Sequence, residues 1–198
     1  MSNPVLHLAS SSPRRRELLR ALGLNFSYEG VAIDESALPG ESVSDMVLRL
    51  AAAKARTAFD SGGHPVPVLG ADTIVILDDR IFGKPGSKQE ALQMLASLSG
   101  RTHRVLTGVA VVANGELETV VSRTEVQFRE IHPDEAEAYW QSGEPAGKAG
   151  AYAVQGLGGI FVSCINGSYT GVVGLPVFET AGLLRRAGID LPARPDHR

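Results

Sequence analysis

The chain has 198 residues, 43% of them hydrophobic and 21% charged, and a formal net charge of −3. That length can bury a full core as one large domain or two packed lobes. The slight acidity takes away the support that a general nucleic-acid or anionic-membrane binder would need. Cys164 is the single cysteine, which excludes an internal disulfide and a cysteine-built metal site, and its apolar neighbours predict a buried strand thiol. No apolar run approaches the ~20 residues of a membrane span, and Met1–Leu8 lacks the basic and long apolar regions of a signal peptide. A cytoplasmic protein is expected.

In chain order, Val5 to Ala9 reads as a short strand. Ser12 then caps a helix with Pro13 at its first position, Leu18, Leu19 and Leu22 as its apolar stripe, and Gly23 as its stop. Arg14, Arg15 and Arg16 crowd the first turn, where the helix dipole disfavours cations. An anion held by free backbone N–H groups and guanidinium forks would make sense of them; solvated surface arginines are the alternative.

Phe26 to Tyr28 predicts a second strand, followed by a loop carrying Asp34, Glu35, Pro39 and Gly40. Ser42 caps a long helix to about Phe59, with Met46, Val47, Leu50, Ala51, Ala55 and Ala58 on one face. Lys54 falls in register with Val47 and Leu50, so its stem lies along that face, either snorkelling or reaching a phosphate.

After the Gly62-Gly63-His64-Pro65 loop comes Gly70 to Leu77, an apolar β-branched strand broken by one carboxylate, Asp72. An ionised carboxylate in such a run must meet a cation, a metal or several donors. Asp78-Asp79 turns the chain back through Arg80-Ile81-Phe82 towards Gly83-Lys84-Pro85. A two-residue loop sets Lys84 opposite Thr73, and a three-residue loop shifts it to the face of Asp72.

Ser87 and Glu90 form a capping box for a helix carrying Ala91, Leu92, Leu95 and Leu98 inward to Gly100. Val105 to Ala113 and Thr119 to Phe128 read as long strands about an Asn114-Gly115 hairpin turn. Pro133 starts a helix containing Tyr139 and Trp140. The glycine-rich run Gly147 to Gly159 matches neither the Walker A nor the dinucleotide pattern, and its glycines allow close approach to a ligand or to another segment. Ile160 to Ile165 reads as a strand, Pro176 opens a last helix to Gly188, and the polar tail 189–198 reads as frayed. Interleaved strands and helices with a long antiparallel hairpin predict an α/β or α+β fold with a mixed sheet.

Gathered together, Ser10, Arg14, Arg15, Lys54 and Lys84, the carboxylates Glu35 and Asp72, and Thr73 and Gln155 form an inventory for a polyphosphate around a divalent cation. Hard oxygen ligands suit Mg²⁺ or Mn²⁺, with Glu35 and Asp72 as the metal-holding pair. No cluster of histidine and cysteine points to zinc.

The segments Leu8-Ala9-Ser10-Ser11-Ser12-Pro13-Arg14-Arg15, Gly70-Ala71-Asp72-Thr73, Gly83-Lys84-Pro85, Thr107-Gly108, Lys148-Ala149-Gly150 and Val173-Gly174-Leu175-Pro176 resemble the Maf family of nucleoside triphosphate pyrophosphatases, in order and over essentially Leu6 to Gly188. The resemblance implies a single Maf/inosine-triphosphatase-like domain across 1–198, with a twisted mixed sheet, flanking helices and two lobes around a deep cleft. It implies a homodimer and hydrolysis of a nucleoside triphosphate to monophosphate and pyrophosphate with a divalent cation.

Asp72 matches the family's proton acceptor, and it is read here as proton acceptor or metal ligand. Catalysis is assigned to Asp72, Lys84 and Glu35, and substrate binding to Ser10, Arg14, Arg15, Lys54, Thr73 and Gln155. Arg14 after Ser-Pro, Thr73 after Asp72, and Gln155 before Gly156-Leu157-Gly158-Gly159 resemble the branch acting on dTTP and UTP. Two readings compete: a septum-formation regulator acting by binding a partner, and a pyrophosphatase directed at 7-methyl-GTP or other purines.

Overall fold

The structure, a computed structural model, describes residues 3–63 and 65–191. His64 and residues 192–198, which include most of the expected tail, lie outside them. Leu6–Ala9 (β1) leads through the Ser12 cap into Pro13–Ala21 (α1), and Gly23 at φ 72° closes that helix. Phe26–Glu29 (β2) is followed by Val43–Gly62 (α2), capped by Ser42, whose buried residues are Met46, Val47, Leu50, Ala51, Ala55 and Ala58. That is the face the 3.6-residue period predicts.

Val68–Leu77 (β3) and Arg80–Phe82 (β4) pair antiparallel, with Val75 opposite Phe82 and Leu77 opposite Arg80. The turn is therefore the two-residue Asp78-Asp79, and the register carried past β4 sets Lys84 opposite Thr73. Lys88–Leu98 (α3) follows. Its expected capping box is only half formed: Ser87 Oγ accepts from the Glu90 amide at 3.2 Å, but the Glu90 carboxylate accepts from Gly86 N at 2.7 Å. Thr102–Ala113 (β5) and Glu116–Phe128 (β6) flank Asn114-Gly115, both left-handed at φ 52° and 84°, as a type I′ turn requires.

Pro133–Gln141 (α4) carries a full capping box from a residue the sequence did not flag: His132 accepts from the backbone while Glu135 bonds back. The Arg129 guanidinium and the His132 amide hold the Glu135 carboxyl down to about 2. Val162–Asn166 (β7), Tyr169–Val173 (α5) and Val177–Arg186 (α6) complete the chain.

Three expectations are corrected here. Leu157–Phe161 is a 3₁₀ turn, so the strand begins at Val162 and not at Ile160. Cys164 is exposed, because β7 ends the strand order and has β6 as its one neighbour in it. Ile189, assigned by sequence to the tail, is buried and donates its N–H to Leu184 O at 2.9 Å.

The strand order is β2-β1-β3-β5-β6-β7, with β4 off that path on β3. β1 is parallel to β2 and β3, whereas β3–β4 and β6–β7 are antiparallel, so the sheet is mixed as expected. The chain divides into two compact units, Met1–Asp72 with Thr107–Val121 and Gly174–Arg198, and Thr73–Leu106 with Ser122–Val173. Strands β3, β5 and β6 each pass from one unit into the other.

In the first unit, Leu6, Leu8, Leu19, Leu69, Val109, Leu175 and Leu183 form a buried core. Helix α2 comes unusually close to β3 and β5. A Cβ on Gly70 would overlap Ala51 O, and one on Gly108 would stand 2.5 Å from Val47 O. These two glycines let the helix seat, which fixes where Lys54 can reach. Gly70→Ala is expected to cost about 1–3 kcal/mol through backbone displacement, read as a lower urea midpoint.

In the second unit, Phe82, Leu95, Leu98, Phe128, Tyr139, Tyr152 and Phe161 lie in one core. His103, 1% exposed, shares a hydrogen bond of 2.8 Å with the Tyr152 hydroxyl and meets Phe128 edge-on. Burial pulls its pKa from 6.5 down to about 4. The unfolded chain therefore takes up this proton first as pH falls. Stability should be full above about pH 6.5 and decline towards pH 4 by up to about 3 kcal/mol. Urea unfolding at pH 7 and pH 4.5 measures this, and His103→Gln should flatten the slope.

Candidate active site

The cap of α1 organises the first set of candidate residues. Ser10 Oγ accepts from Ser12 N and from Arg15 Nη1, both at 3.2 Å, and Arg15 Nε donates to Gly174 O at 2.8 Å. The Arg15 guanidinium is thus anchored at two points. Burial pulls its pKa below the ordinary value, the Asp72 carboxylate pushes it back up, and Arg14 and Glu35 act as smaller opposed influences. An arginine so placed stays charged. Arg16 goes elsewhere: its guanidinium lies 4.4 Å from the centre of the Tyr28 ring. Arg15 and Arg16 therefore go to different partners.

Asp72 has found its cation. Lys54 Nζ, delivered by the seating of α2 on β3, donates to Asp72 Oδ1 and to Glu35 Oε1, each at 2.6 Å. The side chains of Lys54 and Asp72 are 12% and 13% exposed, whereas Glu35, on its loop, is 50% exposed. The shielded Lys54–Asp72 pair offsets the cost of a carboxylate inside an apolar strand. Of the partners open to Asp72, a strand cap, an arginine or another cation, the structure supplies a lysine.

Two carboxylates converging on one ammonium also present two hard oxygens towards one point. No group of three or more histidine, cysteine, aspartate or glutamate side chains is placed to hold a metal among the described residues. Two oxygens fit a cation of the Mg²⁺ kind, which retains water and takes further ligands from substrate phosphates. The donor set of Glu35 and Asp72 therefore suits the group expected from the sequence.

The remaining candidates lie in the second unit. Thr73 is half-buried on β3, Lys84 is exposed just past β4, and Gln155 is exposed in the glycine-rich loop. Gly150 N donates to Gly83 O at 3.1 Å, so the Lys148–Gly150 segment is tied to the residue preceding Lys84. Lys148 itself turns back to its own loop, donating to Glu144 O at 3.0 Å and Ala146 O at 3.3 Å.

Sequence reasoning missed the Gly174 carbonyl that anchors Arg15. The motif Val173-Gly174-Leu175-Pro176 was visible, but a backbone acceptor 159 residues away leaves no side-chain signature. It also missed Glu144 and Tyr139, which reach into the glycine-rich loop from outside it.

Known proteins resemble the chain over nearly its whole length. The family described as Maf-like protein matches residues 5–187. The dTTP/UTP pyrophosphatase of Bordetella avium (strain 197N) is 50% identical, over 96% of this chain and 98% of that protein. The dTTP/UTP pyrophosphatase of Alkalilimnicola ehrlichii is 48% identical, over 94% and 95%. Among solved structures, a nucleoside-triphosphatase described as a dITP/XTP pyrophosphatase, from Mycobacterium abscessus, is 21% identical with a TM-score of 0.40, over 62% of this chain and 72% of that one.

Proposed function

The chain belongs to the Maf family, and on that premise we propose that it hydrolyses dTTP and UTP to the nucleoside monophosphate and pyrophosphate. The observation that carries this reading is the Asp72–Lys54–Glu35 bridge beside the anchored Arg15, a carboxylate set among fixed cations within one unit.

Each residue has a task there. Arg15 brings a fixed guanidinium charge to the phosphate oxygens, and the third proton of Lys54 Nζ is a donor to one of them. Ser10 holds the Arg15 fork in place, while Arg14 and Lys84 add positive charge for the triphosphate chain. Asp72 accepts the proton of the water that attacks the α-phosphorus, in line with the departing pyrophosphate oxygen. Glu35 and Asp72 are the residues that would hold a divalent cation, and what such an ion supplies is charge neutralisation on the triphosphate. Gln155 both donates and accepts, the pairing that a uracil or thymine edge demands, and Thr73 is the second candidate for reading the base.

The test is a panel of nucleoside triphosphates scored for pyrophosphate release with and without Mg²⁺. Cleavage of dTTP and UTP ahead of the purine nucleotides supports the reading, and preferential cleavage of purine or 7-methylated nucleotides refutes it. The same family reading carries a homodimer in the cytoplasm; light scattering that returned a monomer mass at micromolar concentration would contradict the dimer. Among the described residues no helix is long and apolar enough to cross a membrane.

A further inference from the structure

The glycine-rich loop is held by a residue outside it. Glu144 Oε1 accepts from the Tyr139 hydroxyl at 2.6 Å and from Gly158 N at 2.9 Å, and Glu144 Oε2 accepts from Leu157 N at 2.9 Å. The Tyr139 hydroxyl in turn accepts from Ala153 N at 3.1 Å. One carboxylate and one phenol thus grip the chain at 153 and again at 157 and 158, leaving Val154-Gln155-Gly156 as a short span between fixed points.

The grip is built to a close fit. A Cβ on Gly156 would overlap the Glu144 carboxylate, and one on Gly158 would stand 2.5 Å from the Tyr139 hydroxyl. The glycines that sequence reasoning left open between ligand and chain approach are therefore needed for this tether. Tyr139 is itself fixed, 5% exposed, with its ring edge-on to Phe161 at 5.2 Å. Burial works to raise the Glu144 carboxyl, but the Tyr139 hydroxyl and the two amides outweigh it and keep the group ionised. Charge-assisted bonds to a carboxylate are among the stronger tethers available to a loop.

We propose that Glu144, with Tyr139, is a positioning residue that presents the exposed Gln155 amide to the pyrimidine edge. Gln155 is exposed, and a run with glycines at 156, 158 and 159 would otherwise sample many backbone states. Ordering that run before substrate arrives removes part of the entropy cost of binding. This inference rests on the reading of Gln155 as the base-contacting residue, and the experiment separates the two.

The experiment measures kcat and KM for dTTP and dCTP, which differ at the base edge in carbonyl against amino group, for Glu144→Ala, Glu144→Gln, Tyr139→Phe, Gln155→Ala and the Glu144→Ala/Gln155→Ala double variant. Expected for Glu144→Ala is a rise in KM for dTTP of about tenfold, larger than its fall in kcat, with a reduced dTTP-to-dCTP ratio of kcat/KM. Tyr139→Phe, which keeps the ring packing, should shift the ratio the same way by less. Glu144→Gln, which retains acceptor oxygen, should restore part of it. The double variant should show the ratio of Gln155→Ala alone, because a positioning residue has nothing left to position.

A changed ratio in Gln155→Ala with unchanged ratios in both Glu144→Ala and Tyr139→Phe overturns the inference while sparing the base-reading role. An unchanged ratio in Gln155→Ala overturns both. Should Glu144→Ala fail to fold, Tyr139→Phe and Glu144→Gln decide alone, and dTTP-to-dCTP ratios in both equal to the unsubstituted protein's would overturn it.

Discussion

Asp72→Asn is expected to slow pyrophosphate release from dTTP by about 10²–10⁴-fold, the usual yield of a positioned general base, while the protein still folds. Asparagine keeps the shape and can still accept from Lys54 Nζ through its carbonyl oxygen, and Glu35 remains as the other partner of that ammonium. The substitution removes the proton-accepting charge and one of the two anionic oxygens presented to a cation. A thermal melt near that of the unsubstituted protein, together with the lost turnover, is the expected pair of results. Turnover within tenfold of the original would show that Asp72 neither takes the proton nor holds the ion.

Lys54→Met should damage stability and activity together. Methionine preserves most of the stem that runs along α2, so the core face survives. The loss is the ammonium, which leaves the largely shielded Asp72 carboxylate without its partner and facing that of Glu35. Breaking such a pair costs about 3–5 kcal/mol when fully buried and less where, as for Glu35, one member is half exposed. At this chain length a loss of 2 kcal/mol lowers the melting temperature by roughly 4–8 °C.

Mn²⁺ should restore more stability to this variant than to the original, since the two carboxylates then lack their competing cation. An unchanged melting temperature, or dTTP turnover within threefold, would mean that the bridge is an ordinary solvated pair.

Much of this was legible in the residues themselves. The stripe Met46 to Ala58 fixed the face of α2, Asn114-Gly115 fixed the long hairpin, and a lone aspartate in an apolar strand announced a partner. These signals are local or periodic, so one sequence carries them. What escaped was long-range or without side-chain signature. The Gly174 carbonyl anchors Arg15, Glu144 reaches forward into the amides of Leu157 and Gly158, and His132 caps a helix although histidine is not a favoured capping residue. The strand near Cys164 was read correctly as a strand, but its edge position, which exposes the thiol, depends on the order of strands in the sheet.

The most direct measurement is the product analysis of dTTP turnover with Mg²⁺ present, run beside UTP, dCTP, ATP and GTP. The account predicts thymidine monophosphate and intact pyrophosphate from dTTP, matching products from UTP, and slower reaction of the other three. Release of inorganic phosphate in place of pyrophosphate, or no cleavage of either pyrimidine substrate, would contradict it.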